Sequence, residues 1–418
     1  MIQQSSPLSL ALRAGLFSGT LVFACLAPSS PALAGTSIIS IGNYKTVASD
    51  IDTPDGRLHI AIDGDFAFAQ SEDDLISLDK KAVFEEHRGE HVYRIVFERG
   101  QGSPSRTYTV DGKPHAWDAE GKHWLGTVIP RLLRETSYES DARSKRIYAA
   151  GGANALLAEI DLIQSGFARR NYIVALAGFG KLDDKQLARV LAAVDKIDSD
   201  FDRRNAYVAL IERQTLDNAA QARLLQGAAA MHSDFELRTV LVALAPKLGS
   251  DDAVAQGWLA AMHQIHSAFE ARTAIVALAD ADLKPSMQVD LALQSTQNIN
   301  SAFERRTALA EITRNMAHPS DAQVAAYARS ASRINSDFER RTAIVALADK
   351  ATLDKSACLD LLGALDGMHS DFEIRTALVE VARQMPRDEE VIARYRSIAR
   401  RLGDFERGQA EKALDHLG

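Results

Sequence analysis

The stretch Ser336-Asp337-Phe338-Glu339-Arg340-Arg341-Thr342 returns, with small changes, through the C-terminal part of this 418-residue chain. A phenylalanine marks each copy, and consecutive phenylalanines are 34, 34, 34, 34, 35, 34 and 33 residues apart. A repeat of this length is typical of an α-solenoid, in which helical hairpins stack on one another and bury a continuous core. The marker residues are Phe167, Phe201, Phe235, Phe269, Phe303, Phe338, Phe372 and Phe405.

Each copy of the motif also carries a helix start signal. Ser336 precedes Glu339 by three residues, and this spacing predicts a capping box in which the serine oxygen and the glutamate satisfy each other's backbone N–H groups. The phenylalanine is then the second residue of the helix. Because the run after it, 342–348, is apolar all round, we expect a helix that is buried on most sides, with the phenylalanines packed between repeats.

A second, amphipathic helix follows a polar turn in each repeat. Residues 186–197 are an example, with Leu187, Val190 and Val194 on the side that should face the core. The period equals that of tetratricopeptide repeats, but their pattern of Trp, Gly, Tyr and Pro is missing. The sequence therefore predicts a mostly α protein whose residues 151–418 form a HEAT-like α-solenoid of about eight helical-hairpin repeats.

A β-rich module is predicted before the repeats, over residues 36–116. Leu58, Ile60 and Ile62 alternate with polar residues, as do the two faces of 92–97, and Asp111-Gly112 is a turn signal. We expect five to seven short antiparallel strands. The period becomes helical from Asp118, so residues 117–150 are predicted to form a helical connector.

Residues 1–34 have the pattern of a secretory signal peptide. Arg13 precedes an apolar run, and Ala32-Leu33-Ala34 is typical of a cleavage site. The segment 22–25 resembles a lipobox that would anchor a lipid at Cys25, but Phe23 is larger than the residue usual there. We therefore expect cleavage after Ala34 and a periplasmic or secreted bacterial protein without a membrane span.

Composition excludes several classes of protein. The chain is 46% hydrophobic and 25% charged, which is usual for a globular protein and unlike a disordered or polytopic membrane chain. Its formal net charge of −8 argues against a nucleic-acid binder, which needs a basic surface. With Cys25 in the signal segment, Cys358 is the one remaining thiol, so an internal disulfide is excluded.

The arginines of the repeat offer two kinds of candidate site. One arginine stands three residues after each phenylalanine except the last, where Gly408 is found; this set predicts a structural ladder that binds a carboxylate or carbonyl of the neighbouring repeat. The alternative is a basic row that binds an anionic glycan, lipid headgroup or acidic peptide. The ladder consists of Arg170, Arg204, Arg238, Arg272, Arg306, Arg341 and Arg375.

The position just before the ladder arginine varies among Arg, Leu, Ala and Ile. Since nothing in the scaffold fixes its identity across repeats, this position is the better candidate for contact with a partner. The four arginines predicted to bind a partner are Arg169, Arg203, Arg305 and Arg340.

No catalytic, cofactor or metal site is predicted. His87-Arg88-Gly89-Glu90-His91 matches the inverted zinc-peptidase motif, but Gly89 and the strand pattern after it favour a hairpin turn. His232, His266 and His369 occupy one repeat position at which other copies have Gln, Asp or Asn, which indicates a polar turn. Cys358, beside leucines on a helix, is interpreted as a small buried hydrophobic residue.

Four further segments, taken together with the repeats, carry a family resemblance. They are residues 108–112, 118–125, 129–136 and 151–163. As a set they resemble the extracytoplasmic C-terminal extension of some bacterial BlaR-type metallopeptidase sensors, from about residue 55 onward. The membrane helices and zinc peptidase domain of those sensors have no counterpart in this sequence. The resemblance implies an envelope-facing interaction module and no chemistry.

These patterns together predict an exported, non-catalytic scaffold that binds a protein partner in the bacterial cell envelope. The alternative is a sensor or regulatory accessory that binds an anionic or cell-wall-derived ligand.

Overall fold

The computed structural model describes residues 36–41, 44–53, 56–281, 283, 285–316, 318–351 and 353–415. The predicted signal segment, its cleavage motif and Cys25 lie outside these residues. The described chain begins with an antiparallel sheet and continues as an array of helical hairpins. Two separate hydrophobic cores correspond to these two parts, so the predicted α-solenoid preceded by a β module is confirmed.

The β module contains a seven-stranded antiparallel sheet and a separate two-stranded hairpin. The sheet order is β1-β2-β3-β6-β7-β8-β9, and β4 pairs with β5. The strands are β1 Thr36–Ile41, β2 Tyr44–Thr53, β3 Gly56–Asp63, β4 Phe66–Phe68, β5 Leu75–Leu78, β6 Lys81–Arg88, β7 His91–Glu98, β8 Ser105–Val110 and β9 Lys113–His115. The five to seven strands expected from the sequence fall short of this number because β4, β5 and β9 are too short to show alternation.

One face of the sheet is covered by helix α1, Ala119–Thr136. Leu58, Ile60 and Ile62 of β3 are buried against it, as the alternation predicts. Trp124 of α1 donates a hydrogen bond from Nε1 to the buried carboxylate of Glu86, at 2.8 Å. The first helix after the strands therefore completes the β module's core and is more than a connector.

The H-x-x-E-H segment forms the hairpin turn expected from Gly89. His87 lies at the end of β6 and His91 begins β7, with Arg88 paired to His91 across the turn. Gly89 adopts a φ of 58°, which glycine tolerates without strain. The two histidines therefore sit on paired strands, unlike the helical zinc motif.

Helix α2, Ser140–Leu162, leads from the β module into the array and is kinked at Gly151 and Gly152. Fifteen further α-helices follow among the described residues, and they alternate between two layers. The first-layer helices are α3 Gly166–Phe179, α5 Asp200–Arg213, α7 Asp234–Leu244, α9 Ala268–Ala279, α11 Ala302–Ile312, α13 Asp337–Ala348, α15 Asp371–Ala382 and α17 Asp404–Asp415. The second-layer helices are α4 Asp184–Val194, α6 Asn218–Ala228, α8 Asp252–His263, α10 Pro285–Ser295, α12 Asp321–Ser332, α14 Lys355–Gly363 and α16 Glu389–Ala399.

The serines of the motif cap the first-layer helices. Ser336 Oγ accepts a hydrogen bond from the backbone N–H of Glu339, as a helix cap should. The other half of the predicted capping box differs, because the carboxylate of Glu339 accepts a hydrogen bond from Arg306 of the preceding repeat. The glutamate therefore joins two repeats as well as stabilising the start of its own helix.

A buried ionic network connects the β module to the first repeat. Arg143 on α2, 4% exposed, donates from Nε to Glu72 in the β4–β5 loop at 2.8 Å and from a terminal nitrogen to Glu159 at 2.6 Å. Glu159 also accepts from Arg134 of α1, and Arg143 donates to the hydroxyl of Tyr172 on α3. Burial works against the ionised form of Glu159, but the two arginines outweigh it and hold the pKa of Glu159 below its usual value.

Candidate functional site

The marker phenylalanines form an exposed row along the first layer, which we call the phenylalanine row. The seven from Phe167 to Phe372 are each 50–54% exposed, and Phe405 is 73% exposed. The prediction that they pack between repeats is therefore wrong. Aromatic side chains of this size are usually well buried, so their regular exposure marks this face of the array as the candidate functional site.

The helical phase explains the exposure. In α9 the buried residues Ala271, Ala274, Ile275 and Leu278 lie two, five, six and nine positions after Phe269. At 3.6 residues per turn these positions centre on the side of the helix opposite the phenylalanine. The sequence contained this signal, because the small and aliphatic residues recur in that phase in each repeat. The run 342–348 is apolar on all sides of the helix, so this phase does not stand out from composition alone.

Each phenylalanine except the last is covered on one side by the ladder arginine of its own helix. The guanidinium carbon lies 4.5–4.8 Å from the ring centroid in all seven pairs, a favourable cation–π distance. The same arginine binds a carboxylate of the next repeat, with Nε 2.5–3.1 Å from the oxygen. The pairs are Arg170–Asp202, Arg204–Glu236, Arg238–Glu270, Arg272–Glu304, Arg306–Glu339, Arg341–Glu373 and Arg375–Glu406.

These contacts fix the chemistry of the row. Arg306 and Glu339 are 21% and 16% exposed, so both charges are partly shielded and neutralise each other. The site is therefore a row of half-exposed rings held in place by paired ions, with little net charge. A basic surface for an anionic glycan or lipid does not result from this pairing.

The remainder of the exposed face is small and weakly polar in α7, α9 and α13, whereas α11 and α15 carry the ion-paired Glu311 and Glu380 there. Behind Phe269 on α9 come Thr273, Val276 and Ala277, all half-buried. Thr273 directs its hydroxyl to the carbonyl of Phe269 at 2.8 Å, so its outer surface is largely its methyl group. The same threonine bond recurs at Thr239, Thr307, Thr342 and Thr376. Rings, methyl groups and paired charges together form a smooth, mainly apolar strip.

The four arginines predicted to bind a partner lie inside the array. Arg169, Arg203, Arg305 and Arg340 are 4–9% exposed. They donate to the carbonyls of Ile163, Ile197, Ile299 and Ile334, just before each helix, and to carbonyls near the end of the following second-layer helix.

That location corrects the partner-contact prediction. The position lies two residues after the phenylalanine, on the buried side of the helix, and Leu237, Ala271 and Ile374 at the same position are buried core residues. Arg407 of the last repeat is the exception, at 35% exposed. This position is filled either by an arginine that donates to buried carbonyls or by an apolar side chain that packs in the core, which explains the variation among Arg, Leu, Ala and Ile. Burial lowers the pKa of Arg169 and Arg340 and, with the charge of Arg333, that of Arg305 to about 10.

The histidines of the repeat lie in the turns before first-layer helices. The backbone N–H groups of His369 and Ser370 donate to Asp337 of the preceding repeat, at 2.8 and 2.7 Å. The N–H groups of His232 and His266 bind Asp200 and Asp234 in the same way. The recurring feature is therefore the backbone of the turn, which an aspartate at the start of the previous helix holds in place.

The remaining candidate groups are the thiol of Cys358 and clusters of side chains that could hold a metal ion. Cys358 is buried on α14, and burial raises the pKa of its thiol to about 12. In the described ranges, no group of three or more His, Cys, Asp or Glu side chains is arranged to hold a metal ion. None of the helices in the same ranges is long and apolar enough to cross a membrane.

Comparison with known proteins adds no relative. Neither a family model, nor a curated protein, nor a solved structure matches the chain significantly.

Proposed function

We propose that this protein is an exported, non-catalytic scaffold of the bacterial cell envelope that binds a protein partner along the phenylalanine row. The observation that carries the proposal is the regular exposure of eight phenylalanines on one layer of the array. Large aromatic side chains at a solvent-exposed, rigid surface are typical of binding hot spots. The signal-like segment and the resemblance to sensor extensions support an envelope location.

The row favours a partner with apolar side chains presented at intervals. Stacked helices are about 8–10 Å apart, so successive rings offer similar contacts at that spacing. A ladder arginine covers one face of each ring from Phe167 to Phe372 and holds that ring in place, which reduces the entropy lost on binding. Since the ladder charges are paired, affinity should come from apolar contact and depend only weakly on salt.

Binding can be tested with a variant of the row. The mature chain is used to capture proteins from an envelope extract, and each captured protein is then purified and titrated against the wild type and against a triple variant, Phe235→Ala, Phe269→Ala and Phe303→Ala. We expect the triple variant to bind at least about a hundredfold more weakly, since hot-spot residues each contribute about 2 kcal/mol or more.

A matched control changes neighbouring exposed residues of the other layer. Gln226→Ala, Gln256→Ala and Ala260→Ser lie on α6 and α8 and should leave the affinity unchanged. Equal affinity of the wild type and the phenylalanine variant for every captured protein would refute the proposal.

Export has a separate test. Fractionation of cells that produce the chain, followed by mass spectrometry of its N-terminus, should find it in the envelope fraction beginning at Gly35. A lipid-modified N-terminus at Cys25 would establish the anchored form, and an unprocessed cytoplasmic chain would contradict export.

A second candidate function is a sensor or regulatory accessory that binds an anionic or cell-wall-derived ligand. One observation favours it: a groove between α10 and α12 has two exposed arginines, Arg329 and Arg333, in its wall.

A further inference from the structure

A groove of about 450 Å³ lies between the second-layer helices α10 and α12. Its volume is within the range of small-molecule sites. It belongs to an irregular part of the array, since the one 35-residue spacing, from Phe303 to Phe338, spans the repeat that contains α12. The groove faces away from the phenylalanine row, because it is built from the other layer.

One end of the groove is cationic. Arg329 and Arg333 are exposed, line the groove and stand four residues apart near the end of α12. Neither guanidinium forms a hydrogen bond or ion pair with another described residue. Like charges at this spacing destabilise a helix. Arginines on three other second-layer helices are neutralised by aspartates, in the pairs Arg189–Asp161, Arg223–Asp195 and Arg394–Asp366.

Neighbouring charges do not neutralise this end. Arg305 lies buried close by, and Arg333 contributes to the lowering of its pKa. Asp360 on α14 is near enough to interact with the charge of Arg329, but the two side chains form no ion pair or hydrogen bond. Three guanidinium groups therefore share a region that lacks a paired carboxylate among the described residues.

The opposite end of the groove is acidic. Asp290 of α10 accepts a hydrogen bond at 2.9 Å from Nε2 of Gln323, the third residue of α12. At the other end, the hydroxyls of Thr296 and Ser330 are 2.6 Å apart. The two helices therefore run in the same direction, and Arg329 lies six positions after Gln323 on α12. That separation is about 9 Å along the helix axis.

The wall between the two ends combines apolar and amide groups. Leu293 and Ala326 supply apolar surface, while Gln294 and Gln297 present exposed amides. Small side chains fit against an alanine-lined wall, and amide side chains pair well with peptide groups.

From this arrangement we propose that the groove binds a short peptide of about three small residues with both termini free. Its carboxylate lies between Arg329 and Arg333, and its ammonium group binds Asp290. An extended chain spans about 3.3–3.6 Å per residue, so three residues match the distance between the charged ends. A single amino acid is too short, and a dicarboxylate lacks the group that Asp290 needs. The inference is independent of the partner proposed for the phenylalanine row.

Calorimetric titration of the full chain with tri-L-alanine tests the proposal. We expect saturable binding of one peptide per chain, and at least about tenfold weaker binding for tri-L-alanine amide and for N-acetyl-tri-L-alanine, since each loses one charged hydrogen-bonding end. Arg333→Gln and Asp290→Asn should each weaken tri-L-alanine binding to a similar degree. Arg189→Gln, a matched change on α4, should leave it unchanged.

Thermal unfolding provides the folding check. Because Arg333 lies near Arg305 and Arg329, Arg333→Gln should unfold at or above the wild-type temperature, so a loss of binding in this variant reports on the groove. No saturable binding at millimolar peptide, equal binding of the blocked peptides, or an unchanged affinity of Arg333→Gln would overturn the proposal. Acetate that competes as well as tri-L-alanine at equal ionic strength would also overturn it, by reducing the groove to an anion site.

Discussion

Two neighbouring positions in the repeat have opposite environments. The side chain two residues after the phenylalanine enters the core, and the one three residues after it lies on the surface against the ring. Arg305 and Arg306 show the contrast, with Arg305 4% exposed and Arg306 21% exposed. The stability of the array should therefore respond very differently to changes at adjacent residues.

The first residue-scale prediction concerns the phenylalanine row. Phe269→Ala should cost less than about 1 kcal/mol, because it removes a half-exposed ring and one cation–π contact. Ile275→Ala, in the same helix and fully buried, should cost about 2–5 kcal/mol. Urea unfolding of both variants measures the difference. Comparable losses would mean that the ring contributes to the core.

The second residue-scale prediction concerns Arg305 and Arg306. Arg305→Ala leaves the buried carbonyl of Ile299 without its donor and removes one of the two donors to the carbonyl of Ser330, which should cost about 1–3 kcal/mol. Arg306→Ala removes a partly exposed ion pair and should cost about 1 kcal/mol or less. Denaturant midpoints that reverse this order would contradict the burial of Arg305.

At the scale of the element, each helix is secured partly by the repeat before it. An aspartate at the start of one first-layer helix holds the turn that precedes the next, as Asp337 does for His369 and Ser370. Ala268 and Ala302 occupy the same position in two helices and cannot form this bond. The middle of the array thus has two turns without the aspartate.

Restoring the aspartate should stabilise the protein. In Ala302→Asp the new carboxylate reaches the N–H groups of Asn335 and Ser336, which should add about 1 kcal/mol, and it also places a negative charge at a helix N-terminus. Ala302→Asn, which retains an acceptor without the charge, should gain less. The converse change, Asp337→Ala, should lower the unfolding temperature. A neutral or destabilising Ala302→Asp would argue against the turn-holding role.

The elements were more predictable than their orientation. Spacing alone gave the repeat, the start of each first-layer helix at the residue before the phenylalanine, and the inward Leu187, Val190 and Val194, all buried in the structure. The residue type alone predicts that the phenylalanines are buried, because large aromatic side chains usually are. Their helical phase, opposite the aliphatic positions, predicts the exposure that the structure shows. The groove could not be predicted from the sequence, since it depends on which charged side chains of different repeats remain unpaired in the folded array.

At the scale of the whole molecule, the β module and the array have separate cores joined by a buried ionic network. Glu159 is central to it, because it binds Arg134 of α1 and Arg143 of α2. The two parts can therefore respond together to changes in the ionisation of one carboxylate.

Acid should weaken this connection. Burial opposes ionisation of Glu159 and Glu86, but hydrogen bonds and ion pairs with arginines outweigh it and hold the pKa of both carboxyls below the usual value of a glutamate. A carboxyl with a lowered folded pKa stabilises fully above its unfolded pKa and loses that contribution as pH falls through the folded pKa. Urea unfolding should show a falling free energy of unfolding below about pH 4.5.

The matching variant is Glu159→Gln. It should be less stable than the wild type at pH 7, because Arg143 loses a buried charged partner, and its stability should fall less steeply between pH 4.5 and pH 3 than that of the wild type. An identical pH dependence in the two proteins would show that other carboxyls dominate acid unfolding.

The arginine ladder also gives the array mechanical properties. Seven ion pairs lie in series along one layer, each between one repeat and the next, and each contributes about 1 kcal/mol or less. A load that pulls the repeats apart on that side is therefore shared by many weak, re-forming contacts. The array should therefore bend gradually, like a spring, and the spacing between successive phenylalanine rings should change as it bends. Higher salt should make the array easier to bend, because dissolved ions weaken the attraction within these ion pairs.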